Sequence, residues 1–165
     1  MKKLLGALAL FAATTSPAWA GFGATAYMGS YQDGTAWYPS LDYRAKGILV
    51  QVHLLDWIQG VDVTTGDPVF AVNAGADVTG IAVKRKVGPD VEGVFMPGAG
   101  VRITSISDTM FWNVMAQGRL GAEMKQGMGF GIYVVPAVGV TNMVTGDLGL
   151  NYGGTLQVST WFMNK

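Results

Sequence analysis

His53 is the single histidine of this 165-residue chain, and it limits the chemistry on offer. A hydrolytic triad needs a histidine base beside a positioned nucleophile, and the sequence has no nucleophile-elbow pattern. A metal centre would have to join His53 to carboxylates such as Asp77 and Glu123, but no ligand spacing accompanies them. Cysteine is absent, so neither disulfides nor thiol chemistry enter. Gly127-Met128-Gly129-Phe130-Gly131 has the glycine density of a phosphate loop. Such a loop must open a helix whose N-terminus meets the anion, and no helical periodicity follows here. No catalytic, metal or cofactor residue is therefore assigned. What remains is a set of polar side chains at even intervals inside apolar stretches: Gln51 and His53, Asn73 and Asp77, Glu92 and Arg102, Asn113, Arg119 and Glu123, Asn151 and Gln157. Residues two apart on a strand share a face, so the members of each group point the same way.

Strands are the elements that space residues like this. Leu148, Leu150, Tyr152, Gly154, Leu156, Val158, Thr160 and Phe162 alternate with Gly149, Asn151, Gly153, Thr155, Gln157 and Ser159. That is one oily face and one polar face at a period of two. The same contrast sets Trp112, Val114, Ala116, Leu120 and Met124 against Asn113, Gln117, Arg119 and Glu123. It sets Met128, Phe130, Ile132, Val134, Val138 and Val140 against a glycine-rich face carrying Tyr133. Ile48, Val50, Val52 and Leu54 oppose Gln51 and His53; Val72, Ala74, Ala76 and Val78 oppose Asn73 and Asp77. Val91, Phe95, Val101 and Ile103 oppose Glu92, Arg102 and Thr104, whereas the first strand, FGATAYMGSY, is ambiguous in register.

Turn signals divide the chain into eight strands, at 22–32, 36–43, 47–56, 69–83, 91–105, 111–124, 128–141 and 148–162. The signals are Gln32-Asp33-Gly34, Arg44-Ala45-Lys46-Gly47, Thr65-Gly66-Asp67-Pro68, Gly88-Pro89-Asp90, Ser107-Asp108, Gln126-Gly127 and Thr145-Gly146-Asp147. The turn at Arg44 decides between eight strands and seven, and bacterial barrels take even numbers. Pro39, Pro97 and Pro136 fall inside these strands. A proline donates nothing to a ladder, so each is expected at a strand end or a bulge.

Residues 1–20 have the layout of a secretory signal peptide: Lys2 and Lys3, an apolar run from Leu4 to Ala13, and the cleavage site Ala18-Trp19-Ala20. The apolar run is too short for a membrane span of about 20 residues. Domain organisation is then a leader, 1–20, and one domain, 21–165. Without Lys2 and Lys3, 9 of the 11 basic residues remain against 11 acidic ones, which gives no reason to expect a nucleic-acid partner. Only 13% of residues are charged, about half the ~25% of an ordinary soluble domain. A surface facing lipid needs little charge, and with no helical span beyond the leader, insertion must be by strands.

Charge is also sorted along the chain. With strands alternating up and down, one set of turns holds Arg44 and Lys46, then Lys84, Arg85 and Lys86, then Lys125. The other set holds Asp33, then Asp56, Asp62 and Asp67, then Asp108, then Asp147. Lys84-Arg85-Lys86 reads as a solvated turn, with phospholipid headgroups as its functional alternative. Trp37, Tyr38, Trp57, Phe111, Trp112, Trp161 and Phe162 gather near strand ends, where interfacial girdles form.

These features resemble the small outer-membrane β-barrel families typified by the OmpA transmembrane domain and OmpW. The most specific element is the last strand, similar to a barrel-assembly signal through Tyr152, Gly154, Leu156, Val158, Thr160 and Phe162, with Met163-Asn164-Lys165 following. The resemblance implies an all-β fold, a closed antiparallel up-and-down transmembrane barrel of eight strands. It implies an outer-membrane location, contact with outer-membrane lipids and lipopolysaccharide, passage through the barrel-assembly machinery, and a monomer without a cofactor. The eleven polar residues named above would fill the lumen, with Arg102 and Arg119 paired to some of Asp77, Glu92 and Glu123. The expected function is a non-enzymatic structural protein or a narrow conduit for small or apolar solutes. One alternative is a soluble periplasmic barrel, with Val134, Leu156 and Val158 lining a cavity for an apolar ligand and Gln117, Arg119 and Gln157 meeting water. A lipid-modifying barrel enzyme is a lesser one.

Overall fold

The structure, a computed structural model, describes residues 21–31, 34–45, 47–61, 68–106, 109–126, 128–142 and 147–163. The leader assigned to 1–20 lies outside them. The alternating sequence forms nine antiparallel strands: β1 (Gly21–Tyr31), β2 (Gly34–Ala45), β3 (Ile48–Val61), β4 (Pro68–Gly80), β5 (Val83–Lys86), β6 (Val91–Ile106), β7 (Thr109–Gln126), β8 (Met128–Asn142) and β9 (Leu148–Met163). They join in the order β4-β3-β2-β1-β9-β8-β7-β6-β5, and β4 also pairs with β6, so the sheet closes on itself.

Eight staves make the barrel, because β4 and β5 are two parts of one stave. Both pair with β6. The register runs to Thr79 opposite Gly98 and resumes with Val83 opposite Phe95. Four steps along β4–β5 match three along β6, which is a β-bulge. Across it the Ile81 N–H donates to the Gly47 carbonyl at 2.8 Å and the Ala82 N–H to the Phe95 carbonyl at 3.0 Å. The fold is thus a closed, eight-stranded, up-and-down antiparallel barrel, as the alternation and turn count imply.

Three boundaries differ from the sequence reading. β2 runs through Arg44 and Ala45, so the turn is tighter than expected and turns at Gly47, whose φ of 82° suits a residue without Cβ. Asp56 lies within β3 rather than in a loop, and Lys84, Arg85 and Lys86 form β5 rather than a turn. Asp33, Lys46, Asp62, Asp67 and Asp108 lie outside the described residues.

The three prolines sit where pairing lapses. Pro39 falls in the register shift between Trp37 and Ser40 on the β2–β3 ladder. Pro97 faces the bulge between β4 and β5, and Pro136 lies where the β7–β8 ladder skips from Gln117 to Leu120. Each missing N–H falls beside a gap, so no ladder bond is lost.

The facing is inside-out relative to a soluble barrel. Leu120, Val134, Leu156 and Met28 are exposed at 61, 57, 47 and 63% of their surface, while Gln157 and Arg119 are at 1 and 0%. The soluble alternative required the reverse, and this distribution contradicts it. In β1 the ambiguity resolves with Phe22, Ala24, Ala26 and Met28 outward and Thr25 and Tyr27 inward. The outward apolar face continues across Val72, Val101, Ile103, Val114, Ile132 and Val138.

Candidate functional site

The lumen is the only part of the described structure where polar groups converge, and every stave supplies at least one. Period-two pleating aims the side chains inward, and in an eight-stranded barrel the interior is just wide enough for them to meet. Gln51, His53, Asn73, Asp77, Arg102, Asn113, Arg119, Glu123 and Gln157 are buried there. Glu92 and Asn151 occupy inward positions near opposite ends and stay partly exposed.

At the end carrying the short turns, Arg44 crosses the lumen from β2. Its Nη1 donates to Glu123 Oε1 at 2.7 Å and its Nη2 to the Tyr133 hydroxyl at 3.0 Å. The same hydroxyl donates to Glu123 Oε1 at 2.7 Å. The Arg44 guanidinium carbon lies 3.7 Å from the centre of the Trp161 ring, a cation–π contact. Arg119 takes the other side of Tyr133, 4.2 Å from the ring centre. Leu49, Val94, Met96, Tyr133 and Val135 pack with Ile81 into a small apolar cluster at this end.

Arg119 Nη2 then donates to Ser159 Oγ at 3.2 Å, and Ser159 shares a hydrogen bond with Thr25 at 2.5 Å. Thr25 donates to Asp42 Oδ2 at 2.5 Å. Gln51 Nε2 bridges Thr25 Oγ1 at 3.2 Å and Asp42 Oδ1 at 3.1 Å, and Ser40 adds a bond to Asp42 Oδ1 at 3.0 Å. Tyr27 links this centre to the next: Ser40 reaches its hydroxyl at 3.5 Å, and its ring meets His53 edge-on at 5.2 Å between centroids. Beyond it, Asp77 Oδ2 stands 3.0 Å from both His53 Nε2 and Arg102 Nη2.

Three guanidiniums (Arg44, Arg102 and Arg119) and three carboxylates (Asp42, Asp77 and Glu123) thus share the network, so its formal charges cancel. A buried charge without such partners would cost several kcal/mol. Glycines make the room: a Cβ at Gly100 would fall on the Asp77 carboxylate, one at Gly129 on the Trp161 indole, and ones at Gly121 and Gly131 on Tyr133.

The expected pairing was half right. Arg102 does pair with Asp77, at 3.0 Å. Arg119 pairs with no carboxylate among the described residues; it stacks on Tyr133, while Glu123 goes to Arg44 at 2.7 Å. Glu92 instead holds Lys84 at 2.8 Å near the rim. Trp161, expected in a girdle, is buried inside as the platform for Arg44, because its odd number puts it on the polar face. Phe162 and Trp112 face outward; the side chains of Trp37, Tyr38 and Trp57 lie outside those described. Thr25, Ser40, Asp42 and Arg44 were missed. Parity from Gln51 and His53 across the hairpin would have found Ser40, Asp42 and Arg44 once the turn was placed at Gly47.

No protein-family model and no curated protein matches the sequence. Among solved structures, the chain is similar to Neisserial surface protein A, at 11% identity over 88% of this chain and 96% of that one, with a TM-score of 0.52. A second match is the N-terminal β-barrel domain of Pseudomonas aeruginosa OprF, at 13% identity over 86% and 97%, with a TM-score of 0.49. The likeness to the Neisserial protein is one of fold, and it spans nearly the whole length of that protein.

Proposed function

We propose that this protein is a non-enzymatic outer-membrane β-barrel whose lumen is closed by its own side chains, a structural component of the cell envelope. The observation that carries this reading is the inverted facing: large apolar side chains cover the outside, and a charge-balanced network tied to all eight staves fills the inside. Water would not tolerate that exterior as a free surface, since soluble monomers rarely expose contiguous apolar patches beyond a few hundred Å². Lipid would. The lumen then serves as a brace. Arg44 ties β2 to β7 and β8 across the lumen, Gln51 ties β3 to β1 and Arg119 ties β7 to β9, while the other bonds reinforce neighbouring staves, which fixes register where a one-residue slip would turn every side chain over.

The test is gel mobility in SDS with and without boiling, on protein taken from fractionated envelopes. A folded fraction that migrates differently until heated, and that partitions with outer membranes, is the expected result. Release with the soluble periplasmic fraction and no mobility shift would overturn it. Planar bilayers containing the barrel should carry no steady ion current; a stable ohmic conductance would favour a conduit instead.

A further inference from the structure

We infer that β5 forms a binding site for the phosphate of an anionic phospholipid at the turn end of the barrel, through Arg85 and Lys86. The inference rests on the membrane reading above. All four residues of β5 are exposed. β5 is the last strand in the sheet order and, among the described residues, pairs only with β6, because β3 begins at Ile48, opposite Gly80. The Val87 N–H donates to the Val91 carbonyl at 3.0 Å. By the alternation of an antiparallel ladder, Arg85 and Val83 also bond towards β6, and Lys86 turns its backbone N–H towards the open side.

An N–H at a sheet edge beside cationic side chains is an arrangement suited to an anion. Lys84 is held by Glu92 at 2.8 Å, whereas Arg85 and Lys86 have no ion pair among the described residues. The surroundings select a lipid headgroup over a free phosphate. Val83 shares the outward face with Phe95, its partner on β6, and is 57% exposed; Val87 beyond it is 63% exposed. Phe95 in turn pairs with Leu120, which belongs to the lipid-facing belt. Arg85 therefore lies at the margin of that apolar surface, with Lys86 next to it at the strand edge, at the level a headgroup occupies when its chains run along the surface. Arg85, on the outward face with Val83, offers a planar fork for two phosphate oxygens; Lys86, opposite Glu92 on the inner face, adds its edge N–H and a flexible charge that reaches round the open edge of the strand.

The experiment uses the refolded protein in phosphatidylcholine bilayers, with spin-labelled phosphatidylglycerol or spin-labelled phosphatidylcholine as probe. Electron spin resonance reads how much of each probe is held at the protein surface. The expected result is a preference of about twofold or more for phosphatidylglycerol, lost in R85Q/K86Q and in high salt, and retained in K84Q. Equal association of the two probes, or a preference unchanged in R85Q/K86Q, would overturn the site. Loss of the preference on adding inorganic phosphate at constant ionic strength would overturn the lipid assignment in favour of a free anion. Failure of the membrane reading looks different: no surface-held component would appear for either probe.

Discussion

Asp77 is the carboxylate on which the loop-ward half of the network depends. Its Oδ2 faces both Arg102 and His53 at 3.0 Å, and its side chain is wholly buried. Removing it takes the buried carboxylate away from the Arg102 guanidinium, and breaking a buried pair from one side costs about 3–5 kcal/mol. We expect Asp77→Ala to lower stability by that order in equilibrium urea unfolding of the refolded barrel. Asp77→Ala combined with Arg102→Met should recover much of the loss, because the buried charge goes with it. A double variant as unstable as the single one would mean that the charge is not the source of the cost. Both residues were legible from parity alone, since each sits between apolar neighbours of opposite number. Thr25 and Tyr27 were not. Ala24 and Ala26 beside them suit the outer face and the lumen equally, so the strand shows no contrast. Arg44 was hidden for another reason: a basic residue next to Lys46-Gly47 resembles turn chemistry, and only the cross-lumen reach to Glu123 reveals its role.

Strands of this barrel bend where their chemistry already lacks a hydrogen bond. Pro97 stands opposite the β4–β5 bulge, so Pro97→Ala restores an N–H at a point where the partner strand has lapsed. We expect it to change unfolding free energy by no more than about 0.5 kcal/mol, the range of substitutions away from specific interactions. Ile132 differs, because it is paired on both sides, with Ala122 and with Val158. Ile132→Pro should abolish the heat-sensitive folded band, since a central strand cannot give up a ladder donor. Glycines act at the same scale. Gly129 lies opposite Trp161 on the β8–β9 ladder, and the indole occupies the volume its side chain would need. Gly129→Val should displace Trp161 from Arg44 and cost about 1–3 kcal/mol by overpacking, seen as a changed near-ultraviolet circular dichroism spectrum and a lower urea midpoint. The strand count and most boundaries were readable because turn residues punctuate a strict period of two. The bulge at Ile81 and Ala82 was not, because an extra residue leaves the composition of the stretch unchanged and shows only when its partner strand is known.

For the whole molecule, alternation gives two faces without saying which is inside. Closure decides it. Eight staves enclose a space that side chains alone can fill. The polar set includes three arginines and three carboxylates that cancel one another within that space, whereas no such pairing unites the apolar set. The sparse charge of the sequence pointed the same way, and the geometry supplies the reason. Val158 and Gln157 are consecutive residues on β9 that test this directly. Val158 faces outward between Ala26 on β1 and Ile132 on β8, and Gln157 is buried, donating to Thr155 Oγ1 at 3.1 Å. An arginine at the midplane of a lipid-facing strand costs about 2–4 kcal/mol, so Val158→Arg should deplete the folded band from outer-membrane fractions. Gln157→Ala removes one neutral hydrogen bond, worth about 1 kcal/mol, and should leave assembly intact with a slightly lower urea midpoint. The contrast between neighbours is the decisive quantity. General fragility of β9 would damage both variants alike, and a water-facing exterior would tolerate the arginine, whereas a lipid-facing exterior penalises only Val158→Arg.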